Sequence, residues 1–139
     1  MGTLQLRPEF FDVYLDLAVD FGLPIRLSGA STQERVGFPF RDLSAEQGVL
    51  SPDHLVVVNG VGSRRAVERA VMDLRPGVTE VYLHPATDHS ELRSFDPNWA
   101  GRVDDHHLLT RDSEFRSAIE RSGVVLTGWR EIRDAQRSG

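Results

Sequence analysis

The chain has 139 residues, 40% of them hydrophobic and 27% charged, a composition typical of one globular domain with an apolar core. Twenty-one acidic residues against 16 basic ones give a net charge of −5, which argues against a general nucleic-acid-binding surface. The sequence contains no Cys and no Lys, which excludes disulfides, thiolate nucleophiles, Cys-ligated metals and catalytic lysines. No apolar run is long enough to span a membrane and no signal pattern opens the chain, so we expect a cytoplasmic protein.

Hydrophobic periodicity predicts helices and short strands in alternation along the chain. The predicted helices cover 8–21, 63–74 and 112–122, with a short terminal helix opening at Gly128-Trp129, and the predicted strands cover Pro24–Leu27, His54–Val58, Val78–Pro85 and Val124–Thr127. Residues 28–50 and 86–110 show no clear period and are expected to be long loops. Alternation of strands and helices predicts a single α/β domain over 1–139, with a mainly parallel sheet and flanking helices. Four short strands would leave an open sheet edge, which oligomerisation could cover.

The strand predicted over Val78–Pro85 organises the rest of the chain. Its alternation places Glu80, Tyr82 and His84 on one face. Pro85 cannot donate to a ladder, so pairing should stop there and leave His84 at the carboxyl end of the strand. In parallel sheets, catalytic and ligand-binding residues commonly lie at that end of the strands. Because a lone histidine is more often structural than catalytic, position alone leaves both interpretations open.

Two other motifs could carry chemistry. Gly60-Val61-Gly62-Ser63 follows a strand and opens a helix, as a dinucleotide fingerprint does, but Arg65 fills the third glycine position. A tight turn with Ser63 capping the helix is the structural alternative. Asp104-Asp105-His106-His107 has the residue types of a divalent-metal site, yet adjacent residues do not usually all face one ion. A solvated loop pairing with Arg102 or Arg111 is the alternative for this run.

Several segments together carry a family resemblance. They are Leu-Arg-Pro-Glu-Phe-Phe (6–11), Gly-Leu-Pro-Ile-Arg-Leu (22–27), Ser-Pro-Asp-His (51–54), Gly-Val-Thr-Glu-Val-Tyr-Leu-His-Pro-Ala (77–86), Trp99 to His106 and Gly-Trp-Arg-Glu-Ile (128–132). In this order they resemble the C-terminal portion of the YdjC-like (ChbG/HpnK) carbohydrate deacetylases, from about Met1 to Arg137. The resemblance implies part of a distorted (β/α) barrel of the glycoside hydrolase/deacetylase type.

The resemblance also implies an activity and a set of site residues. It implies removal of acetyl groups from N-acetylated sugars with a divalent metal, Zn or Mg. His84 matches the histidine taken as general acid, and Arg26 matches an arginine that would orient the base carboxylate. Glu80, Arg102, Asp105 and His106 are further candidates, for substrate binding.

No residue of this chain matches the family's metal ligands or its general base. We therefore expect the C-terminal part of a longer deacetylase, through a late assigned start or a natural truncation, with negligible activity alone. The main alternative is a non-catalytic α/β module that binds a sugar or a partner and forms homo-oligomers. A weaker alternative is a nucleotide-binding protein using Gly60 to Ser63.

Overall fold

The computed structural model describes residues 4–58 and 63–139. In chain order its elements are a 3₁₀ helix (Leu4–Leu6), α1 (Pro8–Phe21), α2 (Ala30–Val36), α3 (Phe40–Glu46), β1 (His54–Val57), α4 (Ser63–Met72), β2 (Thr79–Tyr82), α5 (Ser90–Phe95), α6 (Trp99–Arg111), α7 (Ser113–Arg121) and α8 (Trp129–Ser138). The described residues divide into two compact units. The first contains the residues up to Leu55 together with 126–139, and the second contains the residues from Val56 to Val125.

The first unit is built on α1, whose ends agree with the sequence prediction. Pro8 occupies the first turn, where its missing N–H removes no helical hydrogen bond. Gly22 ends the helix in the left-handed conformation at φ 56°, and Leu23 N–H donates to the Ala18 carbonyl at 2.9 Å. The core that α1 helps to enclose contains Phe11, Ala18, Ile25, Leu27, Phe40 and Val49.

A second face of α1 carries exposed apolar side chains. Phe10, Val13, Leu17 and Phe21 recur at helical spacing and are 47%, 58%, 50% and 63% exposed. Among the described residues, the first unit therefore presents an apolar stripe along α1, which we call the α1 stripe.

The second unit contains the parallel sheet, apart from the first two residues of β1. β1, α4 and β2 follow one another, and Val58 N–H donates to the Tyr82 carbonyl at 2.9 Å as the two strands run side by side. A parallel pair needs such a crossover helix. Its core contains Val58, Val67, Leu108 and Phe115, packed against Val56, Val71, Val81, Leu83 and Ile119. The predicted α/β class with a parallel sheet is confirmed for this unit.

The long loop predicted over 28–50 is wrong, because α2 and α3 lie within it. Each has seven residues, which is too short for an amphipathic period to stand out in the sequence. Tertiary contacts hold them instead. The Gln33 side-chain oxygen accepts the Arg41 N–H at 2.6 Å, and the Gln33 amide donates to Asp42 at 2.9 Å.

The long loop predicted over 86–110 is also wrong, since α5 and most of α6 fall there. The buried residues of α6 are Gly101, Val103, Asp105 and Leu108. A glycine and a carboxyl group on the inward face remove the apolar period by which an amphipathic helix is recognised. The Asp104–His107 run is accordingly helical.

Two predicted strands are absent from the described residues. Around Pro24–Leu27 no strand is present: Ile25 N–H donates to the Leu50 carbonyl at 2.9 Å, and the Arg26 N–H donates to the Tyr14 hydroxyl at 3.2 Å. In the segment 124–127, Val125 and Leu126 are 89% and 80% exposed, without a partner strand in the described part of the chain. No described helix is both long enough and apolar enough to cross a bilayer.

Candidate active site

His84 lies two residues beyond the last residue of β2, because the strand ends at Tyr82 and not at Pro85 as predicted. Its main-chain N–H falls past the ladder and donates instead to the Asp105 Oδ2 at 3.1 Å. On the other side of Pro85, the Ala86 N–H donates to the Arg102 carbonyl at 3.0 Å. The chain around His84 is therefore tied to α6 on both sides of the proline.

The His84 ring is oriented by two neighbours. Its edge contacts the Tyr82 ring, with 4.6 Å between centroids and 63° between planes, which agrees with the predicted common face of the two residues. Its Nδ1 lies 3.3 Å from the Val58 carbonyl oxygen. A carbonyl can only accept a hydrogen bond, so we infer that Nδ1 carries a proton in the neutral ring as well as in the positively charged one. Nε2 is then the nitrogen that gains and loses a proton.

Asp96 is a further member of this cluster that the sequence analysis did not identify. It is 9% exposed, accepts the Asn98 N–H at 2.8 Å and forms an ion pair with the Arg102 guanidinium. The Asn98 hydrogen bond, the Arg102 hydrogen bond and the positive charges of Arg102 and His84 hold the pKa of Asp96 below its usual 3.8, against the opposing effect of burial. The turn sequence Asp96-Pro97-Asn98 could have identified Asp96 from the sequence, because an Asp side chain in a turn commonly accepts a hydrogen bond from the backbone N–H two residues later.

The structure brings three of the predicted site residues together in the second unit. His84, Arg102 and Asp105 belong to the cluster that also contains Asp96. Glu80 lies on β2, partly buried, and His106 lies on α6 with its ring 6.0 Å from that of His107. Arg26 belongs to the first unit, where its main chain contacts the Tyr14 hydroxyl.

A separate open cleft of about 690 Å³ lies in the second unit at the start of α4 and the α6–α7 junction. Its lining mixes both signs of charge: Ser63, Arg64, Asp104, His107, Leu108, Arg111, Asp112, Ser113 and Glu114. Asp112 accepts the Phe115 N–H at 2.8 Å as the cap of α7 and forms an ion pair with Arg64. These contacts, led by the Phe115 hydrogen bond, lower the pKa of Asp112. Since Asp112 already neutralises Arg64, the cleft has no strong net charge to attract an ion.

The residues 4–58 and 63–139 contain no group of three or more His, Asp or Glu side chains that could hold a metal ion. Within the Asp104–His107 run, Asp104 and His107 line the cleft while Asp105 is buried. Helical geometry thus separates adjacent residues, as expected for neighbours that cannot all face one ion. The divalent metal implied by the resemblance does not fit the described side chains. The Gly60-Val61-Gly62 motif lies outside the described residues.

A parallel β–α–β crossover with a histidine just past its second strand defines an α/β protein with candidate chemistry at the carboxyl end of the sheet. The chain belongs to the YdjC-like protein family, whose family model matches residues 1–121, and the predicted family is thereby confirmed. No curated protein matches the sequence.

A crystal structure from Enterococcus faecalis V583 is similar in fold to this chain. Its provisional description is a cellobiose-phosphate cleavage protein. The TM-score is 0.73 at 21% identity, and the match covers 91% of this chain and 48% of that protein. The chain therefore spans about half the length of that protein, and at this identity the likeness concerns the fold alone.

Proposed function

We propose that this chain carries the acid-catalytic part of a carbohydrate N-deacetylase site on a portion of a (β/α) barrel. The observation that carries the proposal is the orientation of His84, whose Nδ1 faces the Val58 carbonyl and leaves Nε2 as the exchanging nitrogen. Membership of the YdjC-like family supports a carbohydrate substrate, and the description of the Enterococcus faecalis protein agrees with it.

The step assigned to His84 is protonation of the leaving amine. Water adds to the amide carbonyl and loses one proton to give a tetrahedral anion. As the C–N bond of this intermediate breaks, the Nε2–H proton passes to the departing nitrogen, and the sugar leaves as a free amine beside acetic acid. A positioned general acid contributes roughly 10²- to 10⁴-fold to such a step. The Asp96 carboxylate lies close enough to His84 for the charges of the two side chains to interact.

The remaining residues have positioning or binding roles in this proposal. Arg102 holds Asp96 in place through their ion pair. Glu80 and His106 would contact an N-acetylated sugar. Since no metal ligand set is found in the described residues, no step of the proposal passes through a metal.

Sugar binding at this cluster is testable without turnover. We expect N,N′-diacetylchitobiose to shift the NMR resonances of the His84 ring, and we expect His84→Gln to weaken that binding. His89→Gln is the matched control, because His89 is an exposed cap of α5. Equal effects of the two substitutions, or no shift at His84, would contradict the proposal. In any preparation of the chain that releases acetate, His84→Gln should lower the rate about 10²- to 10⁴-fold.

The α1 stripe favours a second candidate function, a non-catalytic module that self-associates. Contiguous exposed apolar side chains are typical of interaction surfaces. We propose a second copy of the chain as the partner in that case. Leu17→Arg should then abolish dimers in sedimentation velocity, whereas Asp16→Arg, beside the stripe, should not. A monomeric parent chain would contradict this candidate.

A further inference from the structure

Asp105 occupies a position on α6 that normally suits an apolar residue. Gly101, Asp105 and Leu108 follow one another at the i, i+4, i+7 spacing of one helix face, and all three are buried. Asp105 is only 2% exposed, the most buried charged-type side chain in the described part of the chain. Burying a carboxyl group is unfavourable unless its hydrogen bonds are satisfied, so this placement requires a physical reason.

The two oxygens of Asp105 differ in how they are satisfied. Oδ2 accepts the His84 main-chain N–H at 3.1 Å. Oδ1 is buried and has no hydrogen-bond partner among the described residues. A side chain chosen for stability alone would not leave one buried oxygen unsatisfied, because that oxygen has lost its water without compensation. The favourable contact of Asp105 is thus its bond to residue 84.

The need for this bond follows from the end of β2. The ladder stops at Tyr82, and Pro85 has no N–H with which to continue it. The His84 N–H would otherwise have no strand partner, and the main chain that carries the imidazole would keep only the Ala86–Arg102 bond to α6. Asp105 replaces the missing ladder acceptor, while Val58 fixes the ring from the other side.

We propose that Asp105 is a positioning residue that fixes His84 through its main-chain N–H, and that its buried carboxyl group is retained for this purpose at the expense of stability. This inference rests on the proposed acid role of His84. It gives Asp105 an effect through His84, in place of the direct sugar contact expected from the sequence.

Three substitutions test the inference. Asp105→Ala removes the acceptor, Asp105→Asn keeps an oxygen that can accept the His84 N–H, and Asp104→Asn is the matched control at the exposed neighbouring position. The readouts are hydrogen exchange of the His84 amide and the ¹⁵N resonances of its ring, measured by NMR on the full chain. Urea unfolding of each variant gives the global stability.

For Asp105→Ala we expect about tenfold faster exchange of the His84 amide, the effect of losing one hydrogen bond of ordinary strength. We expect the ring resonances to move with it. The urea midpoint should change little, because removing the unpaired Oδ1 offsets the loss of the His84 hydrogen bond. Asp105→Asn should restore both His84 readouts, and Asp104→Asn should leave them unchanged.

Several results would overturn the inference. One is an Asp105→Ala chain in which His84 behaves as in the parent. Others are an Asp104→Asn effect as large as that of Asp105→Ala, or a folded Asp105→Asn chain that fails to restore His84. An Asp105→Ala chain that does not fold would show that this bond supports the whole unit instead. None of these readouts needs turnover, so a failure of deacetylation and a failure of positioning are separate results.

Discussion

The adjacent residues Phe10 and Phe11 allow a direct test of the first unit's core. Phe11 is fully buried, with its ring 5.3 Å from that of Phe38 and 6.5 Å from that of Phe40, whereas Phe10 on the same helix is 47% exposed. Phe11→Ala leaves a cavity between two rings and should lower the free energy of unfolding by about 4 kcal/mol. Phe10→Ala removes a partly solvated ring, leaves no closed cavity and gains helix propensity, so about 1 kcal/mol is expected.

The assay uses the distribution of the two tryptophans of the chain. Trp129 lies in the first unit and Trp99 in the second. In a Trp99→Phe background, Trp129 is the remaining tryptophan. Its fluorescence during urea unfolding reports on the first unit, which contains Phe10 and Phe11. We expect the two variants to differ by about 3 kcal/mol. Equal losses at Phe10 and Phe11, or a Phe11→Ala loss below about 2 kcal/mol, would refute the assignment of α1's buried face.

Two further predictions concern acid stability and the end of α1. Folding lowers the pKa of Asp96 and Asp112 below 3.8, so their stabilising contribution is complete above that value and is lost as pH falls through the lowered values. The free energy of unfolding of the second unit should thus decrease as the pH is lowered from about 4, and it should decrease less steeply in Asp112→Asn. Urea titration at several pH values measures this decrease. A urea midpoint that does not depend on pH would contradict the prediction. Gly22→Ala should cost about 1–2 kcal/mol and lower the thermal midpoint, because Gly22 has φ 56° and an added Cβ would lie 3.3 Å from Arg137 Nε. Gly29→Ala, at φ −64° with nothing within 4 Å, is the control and should be tolerated.

Features set by neighbouring residues were predictable from the sequence. Helix α1 begins at Pro8 and ends before Gly22, and β2 ends before Pro85, as their fixed or permissive backbone angles require. The order of β1, α4 and β2 was also predicted, but β2 ends at Tyr82 and leaves His84 outside the strand to which it was assigned. The short α2 and α3 were missed because their helical signal is spread over seven residues each and depends on contacts such as that between Gln33 and Arg41.

The sequence alone determined the crossover, the helix ends and the place of His84, because proline, glycine and hydrophobic alternation act over a few residues. Only the tertiary structure decided which side chains surround that histidine. Asp105 is 21 residues from His84 and reaches it from a helix whose inward face carries no apolar period. Asp96 joins the cluster through Arg102, six residues further along the chain. Such contacts depend on how distant segments pack, and no local pattern of residues specifies them.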